Sequence, residues 1–156
     1  MTAGRPSLET VSRCGIAACG RRCQISQNLN RFWHLIGDVI GVALPGMVYE
    51  ARLQVLLDHR VGLWDVIAKA KREGSLDSRI RDHATNDLAA LVTALPNLAA
   101  VAFNGGTAAK IGMQLLADSR MSLDLIKLPS SSPAYAAVPY ADKLRAWEPL
   151  RIWLSL

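Results

Sequence analysis

Hydrophobic residues follow two alternating patterns along this chain. Apolar positions spaced three and four apart predict helices, which we place at residues 30–44, 49–59, 86–94, 107–117 and 140–154. Nearly continuous apolar runs predict buried strands at residues 61–67, 98–103 and 123–128. Strands that alternate with helices indicate a parallel sheet covered on both faces. We therefore expect a three-layer α/β/α fold with a short parallel central sheet.

Polar residues and prolines set the limits of these elements. Asn30 and Asn86 precede apolar periods and are good helix N-caps. Pro45 ends the first helix and Pro149 bends the last one. Residues 69–82 (KAKREGSLDSRIRD) are charged and without a period, which predicts an irregular segment.

The first part of the chain has no clean period. Residues 15–20 (GIAACG) form a short strand or belong to a poorly ordered leader, and the sequence leaves both open. We therefore divide the chain into an atypical or poorly ordered N-terminal segment, residues 1–29, and an α/β domain, residues 30–156.

Composition and charge narrow the class of protein only slightly. The chain has 156 residues, 51% of them hydrophobic and 20% charged, as expected for a single globular domain. The net charge is +5, but a balance of +4 falls on residues 1–31 and +1 on the remainder. The positive charge alone therefore does not indicate nucleic-acid binding. No apolar run approaches the ~18 residues of a membrane span, so we expect no membrane contact. The first residues lack the apolar core of a signal peptide, so we expect a cytoplasmic protein. We also expect a monomer.

Cysteine and histidine spacing argues against a metal site. Cys14, Cys19 and Cys23 are separated by four and three residues, and no C-x-x-C pair occurs. Structural zinc sites generally need four ligands. We expect free thiols and no metal or organic cofactor.

Polar residues follow each predicted strand. Asp65, Asn104 and the serines Ser130, Ser131 and Ser132 lie at three strand ends, which meet at one edge of a parallel sheet. The last of these segments, LPSSSPAYA, offers hydroxyl and N–H donors that suit a phosphate. The Asn104-Gly105-Gly106 turn offers another phosphate site at a helix N-terminus, although it lacks the established glycine-rich phosphate motifs.

Several short motifs occur together in one order. They are NRFW from Asn30, LWDV from Leu63, Arg72 with GSLD from Gly74, Phe103-Asn104-Gly105, LPSSSPA from Leu128, and Lys143-Leu144-x-Ala146-Trp147. This set resembles the hypoxanthine-DNA glycosylases, also called DNA-deoxyinosine glycosylases, of the uracil-DNA glycosylase superfamily. The resemblance covers residues 30–153. It implies hydrolysis of the N-glycosidic bond of a deaminated base in DNA, with hypoxanthine preferred and uracil as a second base.

The resemblance also implies roles for individual residues. Asn30 would hold the attacking water, in addition to capping its helix. Asp65, Asn104 and Phe32 would contact the base, although Asn104 could equally tie down its turn. The DNA contacts would come from the serine-rich segment, Tyr135 and Arg72. Ser130, Ser131 and Ser132 would bind phosphates. Tyr135 would fill the gap left by the extruded nucleotide.

The chain departs from this family before Asn30. Family members usually carry a first strand that ends in a Gly-Ser-x-Pro-Gly-like loop, followed by an aromatic pair and a proline. Residues 24–29 (QISQNL) have neither the aromatic residues nor the proline. We therefore expect the first strand to be missing or atypical. Two alternatives stay open: an inactive or truncated glycosylase-like DNA-binding protein, and a nucleotide- or phosphate-binding α/β protein.

Overall fold

The computed structural model describes residues 16–20, 31–72, 80–85, 87–118 and 122–154. The strands are β1 (Ile16–Gly20), β2 (Val61–Asp65), β3 (Ile67–Arg72), β4 (Ile80–Thr85), β5 (Ala100–Asn104) and β6 (Asp124–Leu128). The helices are α1 (Phe32–Ile40), α2 (Tyr49–Asp58), α3 (Leu88–Ala94), α4 (Gly106–Leu115), α5 (Tyr140–Trp147) and α6 (Arg151–Leu154), with a 3₁₀ turn at Glu148–Leu150. None of these helices is long and apolar enough to cross a membrane.

The main sheet confirms the predicted parallel α/β fold. Its four strands lie in the order β2-β1-β5-β6 and all pair in parallel. The register places Gly20 beside Asp65, and Asn104 beside Leu128. The carboxyl ends of the strands are therefore aligned along one edge.

Strand β1 decides between the two alternatives that the sequence left open: the first strand is not missing. Ile16–Gly20 pairs with β2 on one side and with β5 on the other, so it supplies a central strand. Pairing on both sides satisfies the backbone of a central strand, so five small and apolar residues suffice. The other residues of the predicted N-terminal segment lie outside the described part of the chain.

The prediction of an irregular segment at residues 69–82 is wrong for the part that the structure describes. Ile67–Arg72 and Ile80–Thr85 form an antiparallel pair with Lys71 opposite Arg81. Apolar and basic residues alternate in the sequence IAKAKR, which is the period of a strand. The predicted strand over 61–67 accordingly ends at Asp65, and β3 begins at Ile67.

Helix boundaries agree with the predicted breakers in most places. The chain departs from α5 into a 3₁₀ turn at Pro149, which confirms the predicted bend. Helix α1 ends earlier than expected, at Ile40, because Gly41 adopts a left-handed φ of 76°. Both predicted N-caps are one residue too early. The N-cap of α1 is Arg31, without a side-chain bond. The N-cap of α3 is Asp87, whose Oδ1 accepts a hydrogen bond from the Ala90 N–H at 2.8 Å.

Two hydrophobic cores lie on opposite faces of the sheet. Neighbouring residues of β5 alternate between them: Ala100 and Ala102 belong to one, Val101 and Phe103 to the other. The α1-side core is formed by Phe32, Trp33, Leu35, Ile36, Val39, Ile40, Leu44, Leu56, Val61, Ala100, Ala102, Leu128, Trp147, Leu150 and Leu154. The α4-side core is formed by Val66, Leu88, Leu91, Val92, Leu95, Leu98, Val101, Phe103, Ala109 and Leu116.

Candidate active site

The candidate site lies at the carboxyl edge of the parallel sheet. Strand β5 ends at Asn104 and strand β6 at Leu128, which leads into the serine loop, defined here as residues 129–135. Ligands of open parallel sheets bind at this edge, because the connections that leave the strands there can vary without disturbing the sheet. The predicted convergence of the Asn104 turn with the serine-rich segment is therefore confirmed.

A pair of hydrogen bonds joins Asn104 to the middle of the serine loop. Asn104 Nδ2 donates to Ser131 Oγ at 2.8 Å, and the Ser131 N–H donates to Asn104 Oδ1 at 2.9 Å. Ser131 is completely buried, while Asn104 is half-buried. The amide of Asn104 thus fixes the loop, which supports the tying role left open by the sequence.

The remaining serines hold the loop through its own backbone. The Ser132 N–H donates to Ser130 Oγ at 3.2 Å, and the Ala134 N–H donates to Ser132 Oγ at 3.3 Å. A serine oxygen that accepts such a bond keeps its own hydroxyl hydrogen for donation. Ser130 and Ser132, both half-buried, can therefore offer hydroxyl donors to an anion.

Gly105 allows the loop to approach β5 closely. Its φ is +105°, and its N–H donates to the Leu128 carbonyl at 3.0 Å. A Cβ at this position would lie 3.2 Å from the Ser130 Cβ, which is a tight contact. The glycine of the Asn-Gly turn therefore serves the geometry of the serine loop.

Helices of the α1 side hold the same loop from a second direction. The Arg31 N–H, at the start of α1, donates to the Ser131 carbonyl at 3.1 Å. Trp147 Nε1, at the end of α5, donates to the Pro129 carbonyl at 3.2 Å. Lys143, one turn earlier on α5, donates from Nζ to the Tyr135 carbonyl at 2.8 Å. The loop is thus fixed at its beginning, middle and end.

The other predicted site residues are described by the structure to different extents. Asn30 lies outside the described residues, directly before Arg31. Asp65 is the last residue of β2 and Arg72 the last of β3; the structure describes their backbone only. Tyr135 ends the serine loop with a side chain that is 45% exposed.

Phe32 belongs to the core in this structure. Its side chain has no exposed surface, and its ring packs edge-to-face against Trp33 at 5.1 Å and Trp147 at 5.8 Å between ring centroids. The structure therefore does not bring the ring to the edge with Asn104 and the serine loop. Its contact with a base stays a prediction.

Two titratable groups on α5 have perturbed pKa values. Burial and the hydrogen bond to Asp38 raise the pKa of Tyr140, whose hydroxyl donates to Asp38 Oδ2 at 2.5 Å. Burial, with the positive charge of Arg31, lowers the pKa of Lys143. Lys143 belongs to the last of the sequence motifs, but the sequence alone assigned it no role. Its spacing of four from Trp147 was the available signal that both side chains lie on one helix face.

Possible metal ligands do not gather in this part of the molecule. Among the described residues, histidine, cysteine, aspartate and glutamate side chains form no group of three that could hold a metal ion. Asn104 and the serine loop, whose side chains the structure describes, bring amide, hydroxyl and backbone donors to this edge.

Two curated proteins and one solved structure are similar to this chain. No protein-family model matches the chain. A hypoxanthine DNA glycosylase from Methanosarcina acetivorans is 42% identical over 105 residues, and one from Methanosarcina barkeri is 43% identical over 76 residues. These segments cover 67% and 49% of this chain. They cover 65% and 48% of the two relatives, so the chain spans less than two thirds of either protein it matches.

A solved structure extends the comparison over the whole fold. A protein from Methanosarcina acetivorans, provisionally named a uracil DNA glycosylase and solved by solution NMR, is 33% identical. The match covers 93% of both chains with a TM-score of 0.78. The chain belongs to the uracil-DNA glycosylase superfamily. The resemblance to its hypoxanthine-DNA glycosylases, predicted from the ordered motifs, is confirmed by the two named relatives.

Proposed function

We propose that this protein is a DNA glycosylase that hydrolyses the N-glycosidic bond of hypoxanthine in DNA, with uracil as a second base. The observation that carries this proposal is the paired hydrogen bond between Asn104 and Ser131. It fixes a loop rich in donors at the ligand-binding edge of a superfamily fold whose relatives are named hypoxanthine DNA glycosylases.

Hydrolysis of a glycosidic bond requires little covalent chemistry from the protein. Water attacks C1′ as the bond to the base nitrogen breaks; the sugar develops positive charge and the leaving base negative charge. Positioned dipoles that match these charges supply most of the required stabilisation. An edge built from amides and hydroxyls therefore suits this reaction.

Asn30 is our candidate for holding the attacking water. It precedes Arg31, whose N–H is bonded to the Ser131 carbonyl at 3.1 Å, so the chain enters α1 against the serine loop. An asparagine amide can accept one hydrogen bond from a water and donate another to a neighbouring group. This orients a water without removing its proton in advance.

Base recognition would fall to the ends of β2 and β5. Asn104 uses its Oδ1 and one Nδ2 hydrogen on Ser131, which leaves the second Nδ2 hydrogen for a base oxygen such as O6 of hypoxanthine. The carboxylate of Asp65 would accept from N1–H of the base. Phe32 would support the wall of the base pocket from its position in the α1-side core.

DNA contacts would come from the serine loop and β3. The hydroxyl hydrogens of Ser130 and Ser132, with the loop fixed by Ser131, would bind the phosphates that flank the extruded nucleotide. The exposed ring of Tyr135 would fill the gap in the base stack. Arg72, at the end of β3, would bind a further phosphate.

The proposal is tested by identifying the released product. Purified protein is incubated with duplexes that carry one deoxyinosine or one deoxyuridine, the free base is quantified by mass spectrometry, and abasic sites are cleaved with alkali. We expect hypoxanthine and abasic sites in equal amounts, with the activity retained in chelator. Duplex binding without release of base, or thermal stabilisation by mononucleotides but not by duplex, would support the two alternative functions instead.

The role of Asn30 is tested separately by the substitution Asn30→Asp. Aspartate keeps the size of asparagine but removes the amide donor; because the N-cap of α1 is Arg31, stability should hold. The single-turnover rate should fall about 100-fold or more, as expected for loss of a positioned group at the reacting centre. A near-normal rate would contradict the role of Asn30 in holding the water.

A further inference from the structure

Lys143 is a buried cation next to the serine loop. It is 5% exposed, and its Nζ donates to the Tyr135 carbonyl at 2.8 Å. Among the described residues no carboxylate lies within ion-pair distance of it. Burying an ammonium group without a counter-charge opposes folding. The acceptor that the structure gives this ammonium group is a neutral carbonyl of the serine loop.

The contacts of Lys143 converge on a single residue. Besides the bond to the Tyr135 carbonyl, its Nζ lies 5.4 Å from the centroid of the Tyr135 ring. A cation at this distance from an aromatic ring is attracted by the electron density of the ring face. One ammonium group thus holds both the backbone and the side chain of Tyr135.

Tyr135 is positioned to meet the substrate. Its side chain is 45% exposed at the end of a loop that is bonded to Asn104, Arg31 and Trp147 at other points. A ring that enters a base stack binds more tightly when its direction is set beforehand, because less conformational freedom is lost on binding.

We propose that Lys143 is a positioning residue for the proposed glycosylase reaction: it holds the Tyr135 ring ready to occupy the space left by the extruded nucleotide. The proposal rests on the proposed function. Lys143 acts through Tyr135 at the end of the serine loop. Trp147 holds the opposite end of the loop through its hydrogen bond to the Pro129 carbonyl.

The test is a double-mutant cycle with Lys143→Met and Tyr135→Ala. Methionine keeps the length and apolar stem of lysine without its charge. The control is Arg145→Met, which removes a charge from an exposed position of the same helix. Each protein is assayed for single-turnover excision and for the fluorescence of a 2-aminopurine placed next to deoxyinosine, which reports base unstacking.

We expect Lys143→Met to be as stable as the wild type or more so, with base unstacking and excision reduced about tenfold at subsaturating enzyme. The double variant should be no slower than Tyr135→Ala, because residues that act through one contact are not additive. The control should match the wild type. Multiplying effects in the double variant, or a Lys143→Met protein that behaves like the control, would overturn the proposal.

A second pair of variants keeps Lys143 in place. Tyr135→Phe preserves the ring and the carbonyl, so excision should be about tenfold faster than by a variant without the ring. Tyr135→Leu preserves the carbonyl alone and should be slower by about tenfold. Equal rates for both variants would contradict the proposal even if Lys143→Met failed to fold. Absence of base release by the wild type would instead overturn the proposed function.

Discussion

The two faces of the sheet are built differently. The α1-side core contains a cluster of aromatic rings, in which Phe32 contacts both Trp33 and Trp147. Two members of this cluster are connected to the serine loop. Trp147 Nε1 donates to the Pro129 carbonyl. Phe32 directly follows Arg31, whose N–H donates to the Ser131 carbonyl. The α4-side core is largely aliphatic, with α4 packed so closely on β5 that Gly112 meets the Phe103 ring.

This difference separates two contributions to the protein. Packing on the α1 side stabilises the fold and also sets the position of the site, since the same side chains serve both. Packing on the α4 side stabilises β5, the strand that carries Asn104, through the aliphatic core beneath it. Substitutions of similar structural cost on the two faces should therefore have different effects on activity.

The largest effect is expected from Trp147→Ala. Trp147 is 1% exposed, so its removal should lower the free energy of unfolding by about 3–5 kcal/mol. It also removes the hydrogen bond to the Pro129 carbonyl, which frees the start of the serine loop. Excision by the fraction that remains folded should fall as well. Denaturant unfolding and single-turnover assays measure the two losses; an unchanged rate per folded molecule would contradict the comparison.

Gly112→Ala is the matching change on the other face. A Cβ there would lie 2.1 Å from Cε1 of Phe103, so the helix or the ring must shift. Overpacking of this kind lowers the free energy of unfolding by about 1–3 kcal/mol. We expect the excision rate per folded molecule to stay at the wild-type value. A loss of rate as large as that of Trp147→Ala would show that both faces set the site.

A smaller structural effect is expected from Ser131→Ala. The change removes the hydroxyl that accepts from Asn104 Nδ2, a loss of about 1 kcal/mol in unfolding free energy. The excision rate should fall more than stability, because the Asn104 amide is then held only through its Oδ1, by the backbone N–H of residue 131. If rate and stability fell only in proportion, the hydrogen bond would serve the fold alone.

The smallest effect at neutral pH is expected from Tyr140→Phe, which removes the bond between α5 and Asp38. The pKa of Tyr140 is raised above its ordinary value of 10.0, so the folded protein keeps a proton that the unfolded chain loses. The stability that this group contributes is present below pH 10 and is lost as the pH rises through the folded pKa. Urea unfolding at pH 8 and above pH 10 should show the wild-type advantage shrinking. Parallel pH dependence of the two proteins would contradict this assignment.

The sequence predicted those elements whose hydrophobic pattern is continuous. The runs before Asn104 and before Pro129 gave β5 and β6, and the order of helices and strands indicated the α/β class. Strand β5 is buried as predicted, but β6 is an edge strand with mostly exposed residues, so the prediction of a buried strand there is wrong. Strand β1 was left open because five small residues carry a weak pattern, and its stability comes from neighbours on both sides. The β3–β4 pair was missed because its alternation is between alanine and lysine rather than large apolar residues.

The site was predictable at the level of the sheet edge but not of its contacts. Asn104 and Ser131 were both placed at that edge from their positions after strands. Their mutual hydrogen bonds span 27 positions in sequence and depend on the β5–β6 register. The contact of Lys143 with Tyr135 depends on how α5 crosses the loop, which helical periodicity does not determine.

The single-turnover rate of hypoxanthine release by Asn104→Ala tests the central claim most directly. It is compared with the rates of the wild type and Gly112→Ala on one deoxyinosine duplex, at a temperature where all three proteins are folded. The account predicts that Asn104→Ala is slower by about 100-fold or more, while Gly112→Ala matches the wild type. A near-normal rate for Asn104→Ala would contradict the assignment of the active site to this edge of the sheet.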